Sequence, residues 1–208
     1  MNDRRQAQRS IATFKSAYVL NSAGIHFVTL RNISETGICF DVCPGVSVGD
    51  EITFSYDSEG PKSGTVRWVA DGRFGVSASI GQLPGSCPSR RPLRSVRLPM
   101  SLKAELFVEG RREQVAIHNL SLRGTCIDSV PGLRPGQLVS IEIGGRSFEL
   151  ATVRWQAAHR AGICFAKPVA PHEFRALVER LQRCAPSPAA HVVPWEPGSV
   201  SELTIQPG

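Results

Sequence analysis

The chain has 208 residues, enough for one large domain or two small ones, and its nineteen glycines, fifteen prolines and 7% aromatics point to many turns and short elements. A formal net charge of +6 suits an anionic ligand without requiring one. The opening MNDRRQAQRSIATFKS has charges but no apolar core, which excludes a signal peptide, and no apolar run approaches the roughly 20 residues that span a bilayer, so a cytoplasmic protein is expected.

In chain order, the first feature is an arginine cluster, Arg4, Arg5 and Arg9, spaced as Arg5-x-x-x-Arg9. The segment GIHFVTLRNIS then alternates apolar residues and runs into the turn Asn32-Ile-Ser-Glu-Thr-Gly37. GICFDV, GDEITFSY, TVRW and FGVSAS follow as short strands punctuated by Gly, Pro, Asn and Ser. Residues 1–80 make the first module, and GQLPGSCPS, residues 81–89, is a linker. A second cluster, Arg90, Arg91 and Arg94 with Arg97 close behind, opens the second module, residues 90–184. Its strands read REQVAIHNLS, GTCIDS, GQLVSIEI, TVRW and AGICFA. In PHEFRALVERLQRC, apolar Phe174, Leu177, Val178 and Leu181 fall at helical spacing, with Pro171 suited to the first turn. That helix is expected to pack across one mouth of the second module. Residues 185–208 hold five prolines and no Lys or Arg, the composition of a disordered tail.

The two modules are copies of one another. Trp68 and Trp155 stand 87 positions apart, and the same offset relates Gly75 to Gly162, Asn32 to Asn119, Pro44-Gly45 to Pro131-Gly132, and Gly49 to Gly136. Anchors in one ungapped register imply a duplicated small domain; the period is too long for a solenoid repeat. Short strands at close intervals suggest an antiparallel barrel or sandwich, and closure favours the barrel because it leaves no edge for aggregation.

The six cysteines form no C-x-x-C and have no paired histidine spacing, so neither zinc nor any other metal is expected. Cys39 and Cys126 occupy matching strand positions and read as core residues, and Trp68 and Trp155 as barrel packing. No histidine has a triad around it, so catalysis is not expected.

The arginine pair followed by Asn-x-Ser-x-x-Gly resembles the signature of the PilZ family, R-x-x-x-R and then [DN]-x-S-x-x-G, and both halves appear twice. The resemblance implies an all-β protein of two tandem six-stranded antiparallel barrels, the second carrying the C-terminal helix. It also implies a cyclic di-GMP site on the outer face of each barrel, closed by the arginine arm. The matching positions are Arg5, Arg9, Asn32, Ser34 and Gly37 in the first copy, and Arg90, Arg94, Asn119, Ser121 and Gly124 in the second, with Arg4 and Arg91 as helpers. Their chemistry suits that ligand. Arginine forks grip phosphate or address guanine O6 and N7, and their planes stack on bases. The Asn amide accepts from a guanine edge with one oxygen where a carboxylate offers two. Ser hydrogen-bonds base or phosphate, and Gly37 and Gly124 are expected to allow a left-handed turn and close ligand approach.

Taken alone, Asn-x-Ser-x-x-Gly is an Asx-type turn between strands; its duplication beside arginine pairs favours the ligand. The leading function is a cyclic di-GMP receptor that acts on a protein partner by changing the arrangement of its modules. The alternative is an interaction scaffold in which one or both barrels no longer bind nucleotide. Nucleic-acid binding is disfavoured because aromatics are not interleaved with the basic residues. Residues 1–84 carry no net charge and residues 85–184 carry +8. Glu35 sits in the first motif where Arg123 lies near the equivalent place in the second, so the second module is expected to bind the dianion more tightly.

Overall fold

The computed structural model describes residues 11–56, 60–78 and 95–183. All the motif arginines (Arg4, Arg5, Arg9, Arg90, Arg91, Arg94), the linker 81–89 and the tail 185–208 lie outside them. The first module has six strands: β1 (Ile11–Asn21), β2 (Gly24–Ile33), β3 (Gly37–Asp41), β4 (Glu51–Ser55), β5 (Lys62–Ala70) and β6 (Arg73–Ser77). They close in the order β1-β2-β3-β6-β5-β4, with each successive pair antiparallel. The β4–β1 closure is antiparallel too, through Tyr18 opposite Ser55. The second module repeats the arrangement with β7 (Leu98–Val108), β8 (Arg111–Ser121), β9 (Gly124–Asp128), β10 (Leu138–Ile143), β11 (Arg146–Gln156) and β12 (Arg160–Cys164). Its strand order is β7-β8-β9-β12-β11-β10, again closed. The hairpins at Asp71-Gly72 and Glu109-Gly110 put both central residues at positive φ, the turn whose twist matches paired strands.

Alternation in the sequence exposes five strands per copy, and the structure adds the first of each, β1 and β7. Both are interrupted by a bulge at the same place, between Ala12 and Lys15 and between Pro99 and Leu102. The extra residue shifts the inward and outward phase, which hides the strand from a period of two.

The first barrel is filled by Val19, Val28, Leu30, Ile38, Phe40, Phe54 and Phe74 among others. Its β1–β2 hairpin is apolar on the outside as well. Tyr18, Ile25 and Phe27 point away from that interior and join the hydrophobic cluster of the second barrel. The partner is α1 (Pro171–Arg183), which buries the four residues its periodicity marked, Phe174, Leu177, Val178 and Leu181. Leu177 and Leu181 lie against the β10–β11 turn at Gly144, on the second barrel. The Phe174 ring meets the Phe27 ring edge-on, centroids 4.9 Å apart. Gln182 completes the contact: its Oε1 accepts from the Ile25 N–H at 3.0 Å and its Nε2 donates to the Ile25 carbonyl. The helix therefore does more than cap its own barrel, because it locks the first barrel to the second. Truncating a buried phenylalanine costs about 3–5 kcal/mol. Phe27→Ala, although it leaves the first barrel's interior intact, should lower the urea-unfolding free energy of the full chain by about 3 kcal/mol; a loss below about 1 kcal/mol would mean the interface contributes little.

Where β2 meets α1, His26 is buried with its Nε2 lacking a partner among the described residues. It faces Arg175 and Glu179 of the helix and Cys43 across a small cavity of about 50 Å³. Burial holds the imidazole below its ordinary pKa, with Glu179 opposing, and pushes the Cys43 thiol up to about 12, so the thiol stays neutral. The folded state thus favours neutral His26, while the unfolded chain takes up a proton as pH falls through roughly 6.5. This contribution to stability is present above that pH and is lost as pH drops below it. His26→Gln should therefore flatten the decline in melting temperature between about pH 6.5 and 5; an unchanged slope would assign the decline to other groups.

Candidate functional site

The Asn-x-Ser-x-x-Gly segments form the β2–β3 and β8–β9 connections. Ser34 N–H and Oγ both donate to the Gly37 carbonyl, at 2.8 and 3.1 Å. Ser121 Oγ donates to the Gly124 carbonyl at 3.0 Å and accepts the Arg123 N–H at 3.3 Å. Both serines thus shape the turn, and Ser121 is buried while doing so. The second turn is fixed further: Thr125 Oγ1 donates to the Asn119 carbonyl at 2.8 Å, and Arg123 and Leu122 carbonyls accept from the Phe165 and Val169 N–H groups.

The glycines do not have the conformation expected of them. Neither Gly37 nor Gly124 has a positive φ. What excludes a side chain is the neighbouring strand: a Cβ on Gly37 would lie 3.0 Å from the Val76 carbonyl oxygen, and one on Gly124 would overlap the Ile163 carbonyl. The requirement is close backbone approach between strands, which sequence spacing does not distinguish from a left-handed turn.

Pairing carries each motif across the outer face of its barrel. In the first, Asn32 lies opposite Cys39, Cys39 opposite Gly75, and Gly75 opposite Trp68. In the second, the row is Asn119, Cys126, Gly162 and Trp155. Both cysteines are buried as expected, 5% and 6% exposed, but they sit in this outer row and join neither barrel's interior cluster. Burial raises both thiols, so they stay protonated and inert at neutral pH. The tryptophans also point outward, 43% and 40% exposed. A Cβ on Gly75 or Gly162 would overlap the indole nitrogen, so each glycine exists to let the ring lie flat on the sheet. Of the two roles the sequence allows these rings, barrel packing and a place at the rim of a surface site, their exposure excludes the first.

A second row runs beside the first. In the first barrel it holds Phe14, Arg31, Asp41 and Arg73: Arg31 Nε and Nη2 bind the Asp41 carboxylate at 2.6 and 3.1 Å, Asp41 lies opposite Arg73, and the Arg31 guanidinium sits 5.2 Å from the Phe14 ring centroid. In the second barrel His118 Nε2 and Asp128 Oδ1 are 2.7 Å apart, and Asp128 lies opposite Arg160.

Between the barrels is a cleft of about 290 Å³. Lys15, Ser16 and Tyr56 line it from the first barrel, and Ser95, Val96, Leu122, Arg123 and Pro168 from the second. Two cations, Lys15 and Arg123, thus face one space from opposite sides, and Arg123 belongs to the second motif. Among the described residues no group of His, Cys, Asp and Glu could hold a metal, and no helix is long and apolar enough to cross a membrane.

Two closed six-stranded barrels with the same Asn, Cys, Gly and Trp row on their outer faces define a tandem small-barrel protein. The model of the PilZ domain matches residues 3–81 and 90–183, and the chain belongs to that family. Solved structures to which the chain is similar include PlzA of Borreliella burgdorferi in complex with c-di-GMP, at 11% identity and TM-score 0.36, covering 82% of this chain and 88% of that one. YcgR of Escherichia coli in complex with c-di-GMP is similar at 14% identity and TM-score 0.35, covering 82% and 84%. The inhibitor of motility MotI/DgrA of Bacillus subtilis matches at 14% and 0.33, covering 83% and 97%. No curated protein gives a significant match.

Overpacking a tight site costs about 1–3 kcal/mol. Gly124→Ala should sit at or above the top of that range and Gly37→Ala near its foot, as measured by urea unfolding. Equal losses would contradict the difference in strand approach.

Proposed function

We propose that the chain is a receptor for cyclic di-GMP that transmits binding through the arrangement of its two barrels to a protein partner. The observation that carries this reading is the inter-barrel cleft. Its walls hold Arg123, from the second motif, and Lys15, from the other barrel. A dianion seated there is attracted by both barrels at once, and Ser95, which lines the cleft, directly follows Arg90, Arg91 and Arg94 in the chain. Family membership supports the choice of ligand.

In this reading Arg90, Arg91 and Arg94 grip phosphate and stack on guanine, Asn119 reads a guanine edge, and Ser121 and Gly124 hold the turn that presents it. Arg5, Arg9, Asn32, Ser34 and Gly37 do the same in the first module. Trp68 and Trp155 supply flat apolar faces at the ends of the rows. No bond is made or broken, and the protein works in the cytoplasm, where it meets both messenger and partner.

Binding one dianion across the cleft changes the energy of the arrangement of the barrels, because only some arrangements bring Lys15 and Arg123 to bear together. Calorimetric titration with cyclic di-GMP, against GTP and single-stranded DNA, tests the reading. Specific binding is expected, with the tighter phase at the second module. A charge-assisted hydrogen bond contributes about 1.5–3 kcal/mol, so Arg94→Ala should weaken that phase roughly tenfold or more. X-ray scattering should change on saturation. A folded protein that gives no heat at tens of micromolar ligand would leave the scaffold reading standing, and loss of the tighter phase in Arg5→Ala/Arg9→Ala instead of Arg90→Ala/Arg94→Ala would reverse the order of the sites.

A further inference from the structure

The two rows of each barrel match at the 87-residue offset except at two positions of the second row. Asp41 and Asp128 correspond at the 87-residue offset, as do Arg73 and Arg160, but Phe14 is replaced by Ser101 and Arg31 by His118. The first barrel alone therefore carries an aromatic ring there.

That ring is unusual in three respects. Phe14 is 70% exposed, the most exposed of the large apolar side chains among the described residues. It stands in the β1 bulge at φ 35°, a left-handed conformation that a bulky residue adopts only under constraint, while no residue of the matching β7 bulge has a positive φ. One side of the ring is taken by Arg31, whose guanidinium is in turn held in place by the two hydrogen bonds to Asp41. The hydrogen bond to Asp41 also raises the Arg31 pKa further, so the cation is permanent. An exposed hydrophobic ring gains nothing from folding, and a strained backbone costs stability; neither is explained by packing.

The location supplies the explanation. Ala12, two residues before Phe14, pairs with Asn32. Arg31, beneath the ring, directly precedes Asn32. An aromatic plane backed by a fixed guanidinium, on the outward face beside a residue that reads a base edge, is what a flat purine needs to stack upon.

We propose that Phe14 is a ligand-contact residue of the first module, a stacking platform on which one guanine of the cyclic dinucleotide lies, with Arg31 positioning the ring from behind. This rests on the receptor reading above and deepens it: the two modules hold the same ligand with different chemistry, the first by stacking and the second through its basic loop and arm.

The test uses the full chain. Asn32→Ala and Asn119→Ala first assign the phases of the cyclic di-GMP titration to the modules. Phe14→Ser, which installs the second module's residue, should then weaken the first-module phase about tenfold, the effect of removing one base–aromatic stack, and leave the second within about twofold. Phe14→Tyr, which keeps the ring, should stay within about twofold of wild type in both phases. In proton spectra of bound ligand, one guanine H8 should move upfield with wild type and Phe14→Tyr, and lose that shift with Phe14→Ser. Melting temperatures of the variants identify any loss due to unfolding, and Phe14→Leu, which keeps apolar bulk without a π face, should bind like Phe14→Ser. Unaltered first-module binding in Phe14→Ser, or equal weakening of both phases, overturns the proposal while leaving the receptor reading intact. A wild-type chain that binds no cyclic di-GMP overturns both.

Discussion

A closed barrel of six short strands has no room inside for anything but its own side chains. Phe40, Phe54 and Phe74 fill the first interior, and Leu106, Ile117, Ile127 and Ile141 the second, all of them essentially inaccessible. Everything else the protein does must then be done on outward-pointing residues. This constraint sorts the surface. Outward apolar residues on β1 and β2 pack between the barrels, and outward polar and flat aromatic residues gather in the rows through Asn32 and Asn119.

The two uses meet in the middle of the molecule. Tyr18, Ile25 and Phe27 continue the second barrel's hydrophobic cluster, and α1 is the element they share. The cleft holding Lys15 and Arg123 opens beside this contact, and Lys15 is only three residues from Tyr18 on the same strand. Cleft and interface are therefore neighbours on one strand.

Much of this was legible in the residues because the duplication allowed each copy to check the other. The ungapped offset supported ten of the twelve strands and the motif turns, and helical spacing alone marked the helix with its four buried residues. The unreadable parts have definite physical causes. A bulge conceals β1 and β7, since one extra residue reverses the inward and outward phase. Cys39 and Cys126 are apolar enough for a core, and only strand pairing shows that the neighbours, not the barrel interior, bury them. Gly37 and Gly124 are needed because β6 and β12 pass close by, a through-space requirement with no local signature. The second role of α1 was also hidden: Phe174 and Leu177 look alike in the periodic pattern, yet one meets the other barrel and one its own.

The interface hairpin has a counterpart in the second copy, and its chemistry is opposite. Where the first barrel presents Tyr18, Ile25 and Phe27, the second presents Glu105, Arg112 and Gln114 at the same register, with Glu105 and Arg112 paired at 3.3 Å and Arg112 lying 4.9 Å from the Phe107 ring centroid. A helix like α1 from a further module, or from another copy of the chain, would have to strip water from those charges to dock. Among the described residues the apolar hairpin that accepts α1 belongs to the first barrel, and the charged hairpin of the second resists the same kind of contact.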